Sequence, residues 1–564
     1  MTNSDSVFER VLHSVGDDGR FQKRSNLIFN FLLAAVTTMA YMNLILAAAV
    51  PDHWCRVPGR EEGNFSMDEW KLLTLPREKD SAGQSVFSSC KMFNKTLGEY
   101  SNGTDEINCQ HGFEYDRTWL ESTVPMTQDW VCGKELYISN VLAASKLGEV
   151  LAGFVFGYLG DTIGRRPVFL LAIGITCIGR FISPFVVDIY WLFMAASVIA
   201  TIPSTSAAQS CLVLVMELSP SEDRAFIAQM QNVGWTAGLC MLPFIYWLSQ
   251  DWVIYLLLST APLLLYFPLC ILLVESPRWL LSRGRVPECL QQLIKMARVN
   301  GTRLPTDAAL LLQNTAPKPE KVYGIGSLFS NWRLAKNTVL LITCLICSIV
   351  SYNTLVLNIS SLNGNPLLNF FLQALAELPS YVVGRILSDR LGRRFAGGFG
   401  FTLGVCAFTV IIITLNDPSL AWLQISLNIV AKFSVSMCFF VSSLQALEVY
   451  PTCVRQGGFT FGLVAGNIFS IFAPYIVYSG ITHDARIPYV ILTCLCILGV
   501  LAQILLPETL HEKLPETLHE AKKFGEHQSY WSLPRKNHDL YVLANIKNVD
   551  RQTSDHWDVE TLSN

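Results

Sequence analysis

Charge is what this chain has least of. Asp, Glu, Lys and Arg make up 15% of its 564 residues, against about 25% in ordinary globular chains, and the formal net charge is −3. A nucleic-acid partner is excluded, because it would need a clustered positive excess. No phosphate-cradling loop, nucleophile elbow or metal-ligand spacing stands at a plausible position, so neither an enzyme, a cofactor nor a bound metal is expected. The first apolar run is too long and starts too late for a secretory signal, and no small-residue cleavage site follows it. That run also carries no acidic residue.

What is present is apolar. Hydrophobic residues make up 51% of the chain, gathered in runs of about 20 residues, the length that crosses a bilayer core. Twelve such runs are expected as helices, over 26–50, 138–160, 167–187, 190–216, 227–249, 253–274, 337–358, 364–387, 395–415, 420–446, 458–479 and 486–506. Pro262 and Pro268 interrupt the sixth and Pro379 the eighth. Basic residues set the orientation. Arg20, Lys23 and Arg24 precede the first run, and Arg165, Arg166, Arg224, Arg390, Arg393, Arg394 and Arg455 share its starting side. The opposite short loops carry Asp188, Asp251, Asp417 and Asp484. Both termini are therefore expected in the cytoplasm, and the lipid bilayer is the principal partner.

The expected organisation is a cytoplasmic N-terminus (1–25), a first six-helix bundle (26–274), a cytoplasmic linker of short helices (275–336), a second six-helix bundle (337–506) and a cytoplasmic tail (507–564) that turns polar from about 522. Within the first bundle, residues 51–135 form a large outer loop. It holds Cys55, Cys90, Cys109 and Cys132, expected as two disulfides with three possible connectivities. It also holds glycosylation sequons at Asn64, Asn94 and Asn102. The sequons at Asn300 and Asn358 fall on the cytoplasmic side and at a span end, where modification is not expected. The remaining cysteines read as small apolar residues.

Three charged motifs occur twice, in the same order. Asp161-Thr-Ile-Gly164-Arg165-Arg166 returns as Asp389-Arg-Leu-Gly392-Arg393-Arg394; Glu217 and Arg224 return as Glu448 and Arg455; Glu275-Ser-Pro-Arg278 is answered by Pro507-Glu508-Thr509. The offsets are nearly constant at 228, 231 and 233 residues, so the chain is an internal duplication. Two similar bundles can rock about a central site. The repeated charges are expected to act as conformational latches, with each Asp accepting from helix amides or from an Arg.

The Gly157-to-Arg166 turn and its echo resemble the major facilitator superfamily, and Glu275-Ser-Pro-Arg-Trp-Leu-Leu-Ser-Arg-Gly284 resembles the segment after the sixth span of sugar porters and organic ion transporters. Pro51-Asp-His-Trp-Cys-Arg-Val-Pro58, with Asp129-Trp-Val-Cys132, is similar to the organic cation, carnitine and organic anion transporter family. The resemblance covers roughly residues 10–520. The turns depart from the pattern at Thr162, where a basic residue is common, and at Gly384, one residue further from its Asp than Gly157. The resemblance implies an all-α membrane fold of twelve helices in two pseudo-symmetric bundles, and a plasma-membrane carrier working by alternating access. It points to invertebrate members that carry beta-alanine or carcinine. An organic anion carrier and a non-transporting sensor of the same fold are the alternatives.

Charged residues inside spans cost roughly 2.5–3.5 kcal/mol on insertion scales, which makes them substrate candidates. Lys146 and Glu149 lie three apart on span two and either neutralise each other or bind. Glu377 and Lys432 sit on spans eight and ten, where the resemblance places a carboxylate and a base; they form either a gate across the cavity or a permanent pair. Asn467 on span eleven stands where the family's cation carriers often have Asp and its anion carriers Arg. Its neutrality weakens both a simple cation and a simple anion reading and favours a zwitterion, for which Lys146 with Glu149 and Lys432 with Glu377 supply both signs. The expected substrate is a small organic cation or zwitterion. Trp235, Tyr352, Phe439, Phe440 and Phe469 are candidates for an aromatic cage. Thr37, Tyr41, Gln231, Asn232 and Gln445 are polar groups that must face protein or water. Arg180, near the outer end of span three, is expected to snorkel. The lack of an acid in span one disfavours proton coupling of the sugar-symporter kind.

Overall fold

The computed structural model describes residues 11–16, 19–60, 65–79, 85–94, 106–219, 224–305, 308–314, 325–362, 364–451 and 454–510, with isolated positions as far as 524. Its spanning helices are α1 Arg20–Ala47, α2 Leu136–Ile163, α3 Arg165–Val186, α4 Tyr190–Glu217, α5 Arg224–Ser249 and α6 Trp252–Leu272 in the first half. The second half holds α7 Trp332–Leu357, α8 Pro366–Leu391, α9 Arg393–Thr414, α10 Ala421–Val449, α11 Gly457–Thr482 and α12 Ile487–Leu505. Eleven of these are long and apolar enough to cross a membrane. The remaining one, α5, is long enough but carries Gln229, Gln231 and Asn232 in its first turns, which is what a helix facing protein and a polar cavity requires.

Helix α1 widens to a π-helix over Leu27–Leu32, and four other spans are broken where a proline stands. The ring of a proline clashes with the carbonyl four residues back and removes one donor. The first piece of α8 ends at Leu375, four residues before Pro379, and the first piece of α11 ends at Ser470, four before Pro474. Helix α4 breaks between Thr201 and Ser204, around Pro203. In α6 the α-helix stops at Thr260 and continues in short tight turns past Pro262 and Pro268. Pro243 lies inside α5, which runs on through it.

Within each half the helices close on a buried apolar core, in which Phe169, Ile173 and Phe193 of the first half and Phe401, Phe408 and Leu492 of the second are essentially inaccessible. The tightest joint is between α1 and α5. A Cβ on Gly234 or Gly238 would run into the backbone carbonyl of Phe31 or Ala35, so this small-xxx-small pair lets the backbones touch. The halves meet along two seams related by the duplication, α5 against α8 and α2 against α11.

The outer loop folds as three two-stranded antiparallel pairs, His53–Cys55 with Phe113–Tyr115, Arg77–Lys79 with Ser85–Phe87, and Lys91–Phe93 with Glu106–Asn108. Of the three possible pairings, the cysteines adopt Cys55–Cys109 and Cys90–Cys132. The loop rests on the first half. Trp130 packs edge-on against Tyr137, Tyr190 and Phe193, and the left-handed Asp129 accepts from the Tyr115 hydroxyl at 2.9 Å. Asn94 is exposed just past its strand; Asn64 and Asn102 lie outside the described residues, as does the tail from 525.

Two sequons serve as structural bonds. Asn300 donates to the Val15 and Gly16 carbonyls at 3.1 and 2.9 Å and accepts from the Phe21 amide at 2.9 Å, pinning the N-terminal segment to the linker helix Val286–Asn300. Asn358 is buried and donates to the Tyr489 hydroxyl at 3.0 Å. Arg180 corrects the snorkelling expectation. It is 0% exposed and donates to the Ala40 carbonyl at 3.3 Å, because its helix face is turned to α1 and α6 rather than to lipid or water.

Candidate functional site

Two clusters of opposite charges lie between the halves and an aromatic bridge joins them. In the first, Tyr41 of α1 donates to Glu149 Oε2 at 2.7 Å. Lys146 reaches the same carboxylate at 3.2 Å, also bonds the Tyr41 hydroxyl, and stands 5.1 Å from the ring centroid. Spacing of three on α2 places both charges over one face. The pocket they line is closed from the second half by Asn353, Ser470 and Pro474.

In the second cluster, Lys432 Nζ meets Glu377 Oε1 at 3.0 Å, with 1% and 0% of the side chains exposed. The ammonium also lies 3.2 Å from the Tyr352 ring centroid, a cation–π contact in which the ring face substitutes for lost water. Both ionic partners belong to the second half. The first half contributes Thr236, whose hydroxyl donates to Glu377 Oε2 at 3.4 Å, and Trp235, whose indole N–H donates to the Tyr352 hydroxyl at 3.2 Å. Trp235 also packs on Tyr41 at 6.0 Å between ring centroids. The run Glu149–Tyr41–Trp235–Tyr352–Lys432–Glu377 thus crosses the seam without a break.

Other candidates from the sequence are placed elsewhere. Gln445 is buried near the motif face and accepts from Gln503 at 2.6 Å. Thr37 satisfies its hydroxyl on the Leu33 and Ala34 carbonyls of its own helix. Phe469 is exposed, and Phe440 packs on Tyr381. Asn467, Asn232 and Phe439 are half-buried and do not line the pocket. Gln231 reaches the Ala208 carbonyl at 3.4 Å. Asn353, Ser145 and Thr236 were not singled out by sequence reasoning. Asn353 had a readable signal, an amide within the last turns of an apolar span; a Ser or Thr that can bond its own helix carries no such mark.

At the motif face the repeat is reproduced bond for bond. Gly164 and Gly392 sit at φ 102° and 100°, a left-sided conformation that favours glycine. Behind each, a carboxylate from the end of the same half caps the next helix. Glu275 accepts from the Arg165 and Arg166 amides, both at 3.0 Å, and Glu508 from the Arg393 and Arg394 amides at 2.8 and 3.1 Å. The first arginine of each turn reaches back to the preceding helix, Arg165 to the Gly160 carbonyl at 2.8 Å and Arg393 to the Ser388 carbonyl at 3.0 Å. Each also pairs with the central glutamate, Arg165 with Glu217 at 3.6 Å and Arg393 with Glu448 at 3.0 Å.

The amides are therefore held by the closing glutamates, and in the second half Asp389 takes the other of its two expected partners, an arginine. Asp389 is half exposed and pairs with Arg393 at 3.5 Å. Arg278 lies within reach of Glu217, and Arg455 donates to the Tyr450 carbonyl at 3.1 Å. The side chains of Asp161 and Arg224 lie outside the described residues. Among the described residues, these motif bonds join elements of one half; the two halves touch on this face through Arg385 and Gln229, at 3.2 Å.

Comparison with known proteins places this geometry in a family. The model of the sugar (and other) transporter family matches residues 85–520. The chain is 31% identical to the beta-alanine transporter of Drosophila melanogaster, over 90% of this chain and 88% of that one. It is 29% identical to the carcinine transporter of the same fly, over 96% and 83%, and 28% identical to the human organic cation/carnitine transporter 2, over 89% and 91%. In fold it is similar to the E. coli xylose transporter in an inward open conformation, with a TM-score of 0.56 at 16% identity, covering 88% of this chain and 98% of that one. The chain belongs to the sugar (and other) transporter family of the major facilitator superfamily, in its organic cation, carnitine and organic anion transporter branch, and is a multi-pass membrane transporter.

Proposed function

We propose that the chain carries small zwitterions or organic cations, amine or amino-acid derivatives of the beta-alanine, carcinine or carnitine kind, across the plasma membrane by alternating access. The observation that carries this reading is the pairing of signs. Lys146 with Glu149, and Lys432 with Glu377, each form a neutral set, so a ligand bearing both signs enters without leaving a net buried charge. The pocket lined by Tyr41 offers Glu149 and the Tyr41 ring to an ammonium and Lys146 to a carboxylate. The relatives named for beta-alanine and carcinine support the same class.

Asn467, neutral on α11, neither adds a second anion for a simple cation nor a cation for a simple anion. A true zwitterion gains nothing from the membrane potential, which is worth about 2.3 kcal/mol per charge per 100 mV. Its uptake then depends on exchange, a co-ion or its own gradient. The capped turns at Gly164 and Gly392 hold the ends of α3 and α9 while the halves rock, with both termini cytoplasmic by the distribution of basic residues. Asn94 is a glycan acceptor on the outer loop.

Uptake in cells expressing the full chain tests this. Radiolabelled beta-alanine, carnitine, a quaternary amine and a dicarboxylate are compared in wild type, Lys146→Met and Asn467→Asp. Uptake of a zwitterion, lost in Lys146→Met, and a shift towards the quaternary amine in Asn467→Asp are expected. Selective dicarboxylate uptake, or no uptake or counterflow of any compound despite surface expression, overturns the reading.

A further inference from the structure

Among the described residues, the least compensated buried charge lies away from the pocket. Arg180 on α3 is 0% exposed. Its Nη2 donates to the Ala40 carbonyl at 3.3 Å, while Nε and Nη1 are buried without a hydrogen-bond partner. A guanidinium cannot shed its proton at physiological pH, and no carboxylate among the described residues pairs with it. The other group in electrostatic reach is Tyr255 of α6, also 0% exposed, whose hydroxyl is likewise buried and unpartnered. Asn43 fastens α1 to α6 beside them, donating to the Ser259 and Thr260 hydroxyls at 2.9 and 3.2 Å. Tyr41 faces the substrate pocket and Ala40 faces α3, so the cluster sits behind α1, separate from that pocket.

Every unpartnered group named here on Arg180 and Tyr255 can donate. A buried cation left uncompensated costs several kcal/mol. Water would satisfy the donors but leave the charge; an acceptor carrying one negative charge does both. We propose that Arg180 and the Tyr255 hydroxyl hold a small inorganic anion of halide size between α1, α3 and α6, as a fixed counter-ion of the first bundle. The proposal is independent of which substrate is carried.

The test is the melting midpoint of the purified full-length protein in lipid nanodiscs, titrated with sodium chloride against sodium gluconate at constant ionic strength. A saturable rise with chloride is expected, reproduced by bromide and absent in Arg180→Met. In gluconate, Arg180→Met is expected to melt no lower than wild type, because the unpaired buried charge is gone. Tyr255→Phe removes one donor to the anion and is expected to raise the half-saturating chloride about tenfold. A wild-type midpoint that ignores chloride, or a chloride response that survives in Arg180→Met, overturns the proposal. If Arg180→Met does not fold, an unshifted half-saturation in Tyr255→Phe overturns it equally.

Discussion

Lys432 and Glu377 are among the most enclosed charges in the chain, with 1% and 0% of their side chains exposed, and each is tolerable there because of the other. Removing one partner of a buried pair typically costs about 3–5 kcal/mol, whereas replacing both by apolar groups is often neutral. Glu377→Gln is therefore expected to depress the melting midpoint and surface expression sharply. The double variant Glu377→Leu with Lys432→Met should recover both. Uptake separates the two roles left open by the sequence: a gate or binding pair predicts that the rescued double variant stays inactive, and a permanent structural pair predicts that it transports normally. The contact of Lys432 with Tyr352, itself bonded to Trp235 of the other half, favours the inactive outcome.

At the scale of elements, the informative feature is how each half ties off its own end. The carboxylates of Glu275 and Glu508 take up two amides each at the starts of α3 and α9. Those amides have no partner within their own helix, and the helix dipole favours an anion there. Glu508→Gln is expected to lower stability by about 1–2 kcal/mol, read as a fall in melting midpoint. Asp389→Asn, changing a half-exposed side chain, should leave the midpoint close to wild type. An equal or larger fall in the aspartate variant would show that the turn is held by its aspartate. The outer loop illustrates the same economy: its strands are only three residues long, and two disulfides with the Trp130 cluster supply the order that so little sheet cannot.

For the molecule as a whole, the seam between halves sets the conformational state. On the loop face Tyr475 donates to Asn140 at 2.8 Å, Tyr478 bonds Glu135, and Phe244 packs edge-on against Phe371 with centroids 5.5 Å apart. On the motif face the bond between Arg385 and Gln229 is exposed. The loop face is thus the more firmly joined. A net hydrogen bond contributes about 1 kcal/mol, so Tyr475→Phe is expected to raise the population open to the loop face about fivefold. The measurement is the rate at which a membrane-impermeant thiol reagent labels Ser145→Cys, a pocket position, in intact cells with and without Tyr475→Phe. An unchanged rate would remove this bond from the gating seam.

The number of spans, the duplication and the branch of the superfamily were all legible in the linear chain. Each rests on something local: a run long enough to cross lipid, a motif that recurs at a constant offset, a loop with its cysteines and its Asp-Trp-Val-Cys. Even the breaks in α8 and α11 follow from the position of one proline. Sequence alone did not determine which polar residues converge. Tyr41, Trp235 and Tyr352 become one bridge because α1, α5 and α7 happen to turn those faces to the same place. Gln445, just as polar but close to the motif end of its span, turns instead to Gln503. The same holds for Glu275 and Glu508, whose partners are backbone amides more than 100 residues away. Arg180 looked in sequence like a residue at a span's outer end, and packing made it an interior cation that no carboxylate among the described residues pairs with. Periodicity and motif spacing are properties of neighbours along the chain, so the sequence by itself carries them; which charge meets which is a property of helix rotation and packing, and only the tertiary structure decides it.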